Sequence, residues 1–438
     1  MFSKLIYPLR VAKKLFSVND DIGFQRKSAK AIQERITKVL SSNCNTNYTQ
    51  RSKDIKSLLK SGLKDASCDV ESYLIKLAAG IVQIRFANGV IDENIHKEIH
   101  QTTEQLSADL LPVGKWFNFS YILICNGMFL AGLKAREKAI EAIYNDISVN
   151  KCDTKILELG LRAALDQNQI KISKDITSRI HDIRGSNRNL ISIEDATRRL
   201  SGYQGSIDLF PDQMKIKNNL GFYDYLRDKS VAIVGPAASE IYNGEEIDSF
   251  DVVVRFSYSG KPEASDVCKV GRKVHISYYA NVNAARVNNL QCKGFHADLN
   301  FVVFKSIKHK FQRELLEGGK GRMLFSLNPH LLVGSANLLQ LALFDLIHFP
   351  VKNIKVFNFN LFLAKILHDD GYMTQRDRSE HKYKLFEDVF AHHNMFCNYN
   401  FTRNLWNNGL IEVDDVSRNV LELGPEGYAR EMWKIHFC

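Results

Sequence analysis

From about residue 20 to residue 225, apolar positions recur at spacings of three and four, as in Ser28-Ala-Lys-Ala-Ile-Gln-Glu-Arg-Ile-Thr-Lys-Val-Leu40. That period lines one face of a helix, and β-branched alternation is scarce, so this half is expected to be all-α. Residues 73–86, 118–129, 135–144 and 156–165 read as successive helices joined by short polar turns, as in an array of helical hairpins without a clean repeat period. The longest apolar run, residues 116–132, is short for a span of about 20 residues. It also carries Asn118, Ser120 and Asn126, polar groups that lipid would leave unsatisfied, so a single buried helix is expected there. Residues 183–225 scatter Gly185, Gly202, Gly205, Pro211 and Gly221 among polar residues, which reads as a linker and places a boundary near 225.

Beyond that boundary the period changes. Short, β-rich apolar runs at 231–234, 252–255, 274–277, 299–304, 323–327 and 354–357 are separated in places by helical patterns, notably 308–316 and 335–347. Near-continuous apolar strands joined by crossover helices make a mostly parallel sheet covered on both faces. The expected architecture is therefore a basic amphipathic segment over 1–20, an α-helical domain over 21–225, and a Rossmann-like, doubly wound α/β domain over 226–438. Ligands of such sheets bind at the carboxyl ends of the strands.

Composition narrows the partners. The 438 residues are 45% hydrophobic and 25% charged with only 8 prolines, the make-up of a packed globular protein rather than a disordered or fibrous one. The formal charge of +10 suggests nucleic acid until it is located along the chain. Residues 1–50 hold nine Lys/Arg against three Asp/Glu, whereas residues 226–438 hold 26 against 24, too even for a surface that tracks a phosphate backbone. The first 17 residues mix seven large apolar side chains with Lys4, Arg10, Lys13 and Lys14 and no acid, which suits an interfacial helix on anionic lipid and equally a frayed basic tail. No CxxC pair or metal-ligand spacing occurs among the eight cysteines, and no secretory signal pattern opens the chain. Reduced thiols and a cytoplasmic protein, peripheral at most on the inner face of a membrane, are the expectation.

Chemistry concentrates in the second half. Val231-Ala-Ile-Val-Gly-Pro-Ala-Ala-Ser239 is a buried strand running into Gly235 and small residues, a turn through which backbone can approach a phosphate. It matches neither GxGxxG nor GxxxxGKS. Next come Gly244-Glu-Glu-Ile-Asp248-Ser-Phe-Asp251-Val-Val-Val-Arg255-Phe-Ser257 and Val270-Gly271-Arg-Lys-Val-His-Ile-Ser277. This order resembles the large motif of the sialyltransferase family: a strand, G-N-x-x-S, I-D-x-x-D-x-V-x-R-x-N, then a V-G turn into the next strand. Asn328-Pro-His-Leu-Leu-Val-Gly334-Ser335 with its following helix and strand resembles the family's small motif. The segment from His393 through Asn398, Phe401, Asn404 and Gly409 to Asp414 resembles the last motif of bacterial members. The resemblance spans roughly residues 226–425 and does not reach the helical half.

What the resemblance implies is an inverting glycosyltransferase that moves sialic acid from its cytidine monophosphate (CMP) conjugate to a hydroxyl of a glycan or glycolipid. It puts His393 as the general base. Of the three histidines His381, His392 and His393, only His393 has the downstream spacing. It places the donor against Gly235, Ala237, Ser239, Arg255, Ser257, Gly334 and Ser335, while Tyr278, Tyr279 and Asn281, just after a strand, are further candidates. Such chemistry has a built-in phosphate leaving group, so a base and charge stabilisation suffice and neither a metal nor another cofactor is expected. Asp248 and Asp251 read as turn and cap residues, and Arg255 as either a ligand contact or half of an ion pair with one of them. Three departures matter: Pro236, Ser257 and Val333 stand where the family has Asn, Asn and a hydroxyl residue. They leave room for another CMP-activated nonulosonic or octulosonic acid as donor, or for a noncatalytic domain in which the helical half binds a protein partner.

Overall fold

The computed structural model describes residues 93–149, 153–184, 218–237, 240–258, 267–280, 296–364 and 390–437, with positions 57, 197, 199 and 200. The basic segment 1–20, the helix expected over 73–86 and most of the linker-like passage lie outside the described residues.

The described part of the first half is helical. It comprises α1 (Glu93–Gln105), α2 (Val113–Cys125), α3 (Phe129–Val149), α4 (Thr154–Asp166) and α5 (Ile170–Arg184). Local chemistry sets the boundaries: Asp153 caps α4 by accepting the Lys155 amide at 2.8 Å. The apolar run 116–132 is buried as its pattern demands, yet it is not one helix. Asn126 turns its side chain back to donate to Ile122 O at 2.7 Å, and Gly127 adopts a φ of +80°, so α2 ends and α3 starts. A side chain at Gly127 would run into the Phe437 ring, 2.0 Å from its Cβ, which is why glycine makes the turn. Among the described residues no helix is long and apolar enough to cross a membrane.

After α6 (Asn219–Leu226) the chain builds a seven-stranded sheet: β1 (Ser230–Val234), β2 (Val252–Phe256), β3 (Ile276–Tyr279), β4 (Phe301–Phe304), β5 (Gly321–Met323), β6 (Asn353–Phe357) and β7 (Glu412–Val413). Every pairing is parallel and the order is β5-β4-β3-β2-β1-β6-β7. The chain therefore walks outward from β1 to β5, returns to the other side of β1 for β6, and ends at β7. The pattern locates five strands and misplaces the sixth: β5 shares only Met323 with the expected 323–327, and the two-residue β7 carries too little periodicity to announce itself.

Between the strands lie α7 (Gly244–Ser249), α8 (Val267–Val270), α9 (Lys310–Glu317), α10 (Leu338–Leu346) and α11 (Met395–Asn407), followed by α12 (Asp415–Glu422) and α13 (Gly424–Phe437). Helices cover both faces. Val231 and Ile233 of β1 pack into the main core with α10 and α11, while Ala232 and Val234 pack on the other face with Ile247 of α7. The main core also runs without a break through α2, α3 and α4. The helical half is stitched to the sheet by buried polar groups: Arg136 of α3 pairs with Asp166 and donates to Cys397 Sγ at 3.5 Å, and Asn400 of α11 donates to Asp166 at 3.0 Å. Burial pushes the Cys397 thiol up to about 12, so it is an inert core group. Cys125, Cys268 and Cys397 are thiols rather than disulfides.

Candidate active site

Parallel strands fed by crossover helices put the helix N-termini at the carboxyl edge of the sheet, and the reversal of strand order opens a crevice there. In this chain the reversal falls between β1 and β6. Gly235 follows β1 and Asn358 follows β6, and they touch. A Cβ on Gly235 would stand 2.3 Å from Asn358 O and 2.6 Å from the Phe359 ring, so only glycine fits. Gly235 donates its amide to Phe357 O at 2.8 Å, and Ala237 donates to Asn358 O at 3.2 Å. The Ala237 amide, expected to face the donor, is engaged in the β1–β6 junction. Ser239 lies outside the described residues, as does Asn281.

Asn358 carries no role in the sequence reading, yet it is the most constrained residue at this edge. Its side chain has no exposure, its φ is +58°, and neither its Nδ2 nor its Oδ1 has a hydrogen-bond partner. Asparagine tolerates the left-handed region, but a buried amide without partners costs about 1–3 kcal/mol. Its backbone is pinned by Asp414, which accepts the Asn358 amide at 2.7 Å while capping α12 through Ser417. Leu361 and Phe362 follow with φ of 47° and 73°, an unusual conformation for bulky side chains. Strain of this kind concentrates at functional sites.

The second cluster is formed by the N-termini of α10 and α11, which reach the same edge. Ser335, just ahead of α10, lies with its Oγ 3.1 Å from Nδ1 of His393, just ahead of α11. Asn398 holds the two approaches together: its Oδ1 accepts the Asn337 amide at 2.8 Å, and its Nδ2 donates to Ser335 O at 3.1 Å and to His393 O. Gly334, with φ of +84°, lets this happen, since a Cβ there would sit 2.7 Å from Asn394 Cβ. Residues 58 positions apart in sequence, drawn from two separate motifs, are thus brought into hydrogen-bond contact.

The other expected donor contacts are distributed differently. Arg255 sits at the end of β2, but its Nε donates to Lys273 O at 3.0 Å and its Nη2 to Val270 O and Gly271 O at 2.6 and 3.0 Å. Burial lowers its pKa to about 10. It holds the Val270-Gly271 turn in place of the ligand contact expected of it. Asp248 secures the same turn by accepting the Arg272 and Lys273 amides, and Asp251 ties the start of β1 through Ser230; these are turn contacts, and neither residue caps a described helix. Tyr279 is buried in a cluster with Leu299 and Phe304 and donates its hydroxyl to Tyr258 O, so its ring is a core element. Tyr278, one residue earlier, faces the other way and donates at 2.6 Å to Asp345, which is fully buried against Arg322. Ser257 is 4% exposed with φ of +53° at the carboxyl end of β2, donating its amide to Tyr278 O at 3.0 Å.

A serine hydroxyl beside an imidazole can be a nucleophile with its base, or a polar group that orients a base. The amides bear on that choice. Those of Ala336 and Asn337, which would have to stabilise an oxyanion on a Ser335 adduct, donate instead to Asn328 and Asn398 side chains, each at 2.8 Å. Ser335 is therefore better suited to orient His393. Among the described residues no cluster of three or more His, Cys, Asp or Glu is arranged to hold a metal ion. Comparison with protein-family models, curated proteins and solved structures returned no match.

Proposed function

We propose that the chain is an inverting, sialyltransferase-like glycosyltransferase with a Rossmann-like nucleotide-binding domain, using a CMP-activated sugar acid as donor and a glycan or glycolipid hydroxyl as acceptor. The observation that carries this is the Ser335–His393 contact at the carboxyl edge of a parallel sheet whose strand order reverses nearby. With Nδ1 protonated and donating to Ser335 Oγ, the lone pair sits on His393 Nε2, which takes the proton of the acceptor hydroxyl. The acceptor oxygen then bonds to the anomeric carbon from the face opposite the phosphate, and the electron pair of the breaking carbon–oxygen bond leaves with CMP. The phosphate is already a good leaving group, so one positioned base and a charged or polar cradle supply the chemistry.

Asn358 supports the nucleotide end of this reading. A planar amide with one donor and one acceptor face, buried and unpartnered beside the β1–β6 crevice, is complementary to a pyrimidine edge or a ribose hydroxyl. The test is calorimetry and donor hydrolysis with a panel of CMP-sugars on the full chain. Binding of CMP and slow hydrolysis of at least one conjugate are expected; absence of binding to every cytidine nucleotide at millimolar concentration rules the reading out.

A further inference from the structure

The crevice has a charge problem. A nucleotide-activated sugar acid brings a phosphodiester and a carboxylate, yet the amides of Gly235 and Ala237 are spent on β6 and the donors of Arg255 on backbone carbonyls. Lys269 pairs with Glu240 at 3.0 Å. Among the described residues, one half-buried cation at this edge has no such commitment. Lys305 follows Phe304 at the carboxyl end of β4 and donates its amide to Tyr279 O of the neighbouring strand at 3.3 Å. Among the described residues its ammonium has neither a carboxylate nor a carbonyl partner. It is half-buried, and Lys308, three residues on, adds a second positive charge rather than an acid.

Placement along the strand gives it direction. Phe301 and Val303 belong to the main core, where Phe301 packs on Phe222 and Tyr225 of α6, whereas Val302 and Phe304 pack into the cluster on the other face. Side chains alternate along a strand, and Lys305, one residue past β4 and still tied to β3 through its amide, extends the register of Phe301 and Val303, the main-core face to which α10 and α11 also belong. β4 lies three strand spacings from β1, about 14 Å along the edge. A nucleotide carrying a sugar acid can bridge that distance, whereas a free sugar cannot.

We propose that Lys305 is the anion-binding cation of this site, its ammonium holding an acidic group of the bound donor, phosphate or sugar carboxylate; this rests on the CMP-sugar reading above. A half-buried ammonium without a counter-ion costs stability in the unliganded protein and recovers it when an anion arrives. Burial, reinforced by Lys308, lowers its pKa, so an incoming anion finds a poorly solvated and therefore strong partner.

The experiment is calorimetry on the full chain with CMP-sialic acid, CMP and pyrophosphate, comparing wild type with Lys305→Gln, Lys305→Arg and Lys310→Gln. Lys310 is exposed and pairs with Glu314 at the surface, so its variant removes the same charge away from the crevice. Lys305→Gln should weaken CMP-sialic acid about 10- to 100-fold, Lys305→Arg should restore most of it, and Lys310→Gln should change nothing. An equal loss for CMP assigns the contact to phosphate, and a loss confined to the conjugate assigns it to carboxylate. Unchanged binding in Lys305→Gln, or an equal loss in Lys310→Gln, overturns the proposal and leaves the CMP-sugar reading standing. Lys305-dependent binding of pyrophosphate without any cytidine nucleotide keeps the anion site and removes the CMP-sugar reading. A wild-type chain that binds none of the three removes both.

Discussion

Gly235 and Asn358 meet at the point where the strand order reverses: a Cβ on the glycine would lie 2.3 Å from the asparagine carbonyl oxygen. Backbone cannot yield there without parting β1 from β6. Gly235→Ala should destabilise the fold by about 1–3 kcal/mol. Gly221, exposed in α6 with nothing within 4 Å of its Cβ position, is the opposite case. Gly221→Ala should stabilise by about 0.5–1 kcal/mol. Urea midpoints of the two variants should therefore move in opposite directions.

Asn358→Gly separates folding from binding. Glycine accepts a φ of +58° and removes a buried amide that has no partner. The melting temperature should hold or rise, while CMP binding weakens if the amide reads the ligand. A fall of several degrees with unchanged binding would make Asn358 a structural residue.

Arg136 of α3 and Asp166 of α4 form a buried pair on which Asn400 and Cys397 of α11 converge. Burial opposes the guanidinium's charge, and Asp166 more than offsets it, holding its pKa above the ordinary value. Arg136→Met leaves the carboxylate buried with only Asn400 for support, which should cost about 3–5 kcal/mol. Adding Asp166→Leu should recover much of that loss, which equilibrium unfolding of the single and double variants would check.

Acid should loosen the fold through buried histidines, His96 and His348 among them. Burial lowers His96 to about 4, with His100 and Arg430 adding to the effect, and burial followed by Arg199 lowers His348 to about 3. Both are neutral when folded, so the unfolded chain takes up protons first as pH falls through about 6.5. Their stabilisation is complete above that pH and is lost below it, down to the folded values, at roughly 3 kcal/mol per pH unit for the pair. His96 stacks on Trp433 at 4.9 Å, and His96→Phe keeps the stack while removing one titration. The difference in urea midpoint between pH 7 and pH 5 should shrink in that variant.

The parallel sheet was legible because strands buried on both faces must be nearly all apolar, and Val231 to Val234 or Val252 to Val254 allow little else. His393 and Ser335 were legible as parts of two motifs, but their contact depends on Asn398, a helix-interior polar residue whose pattern looks like any other. Asn358 was missed because its signal is conformational: a left-handed φ after β6 leaves no mark in an Asn-Phe-Asn stretch. The split at Asn126-Gly127 was available as a turn dipeptide inside an apolar run and was outweighed by the run's length. The carbonyl partners of Arg255 and Ala237 were not legible for one reason: sequence names donors but does not show which carbonyls use them.

The most direct measurement is turnover of His393→Ala with donor binding followed in parallel. If His393 is the base that Ser335 orients, transfer should fall about 10²- to 10⁴-fold while CMP-donor affinity stays within a few-fold of wild type, because the base acts on the acceptor. Turnover within a few-fold of wild type, or donor affinity that falls in step with turnover, would contradict it.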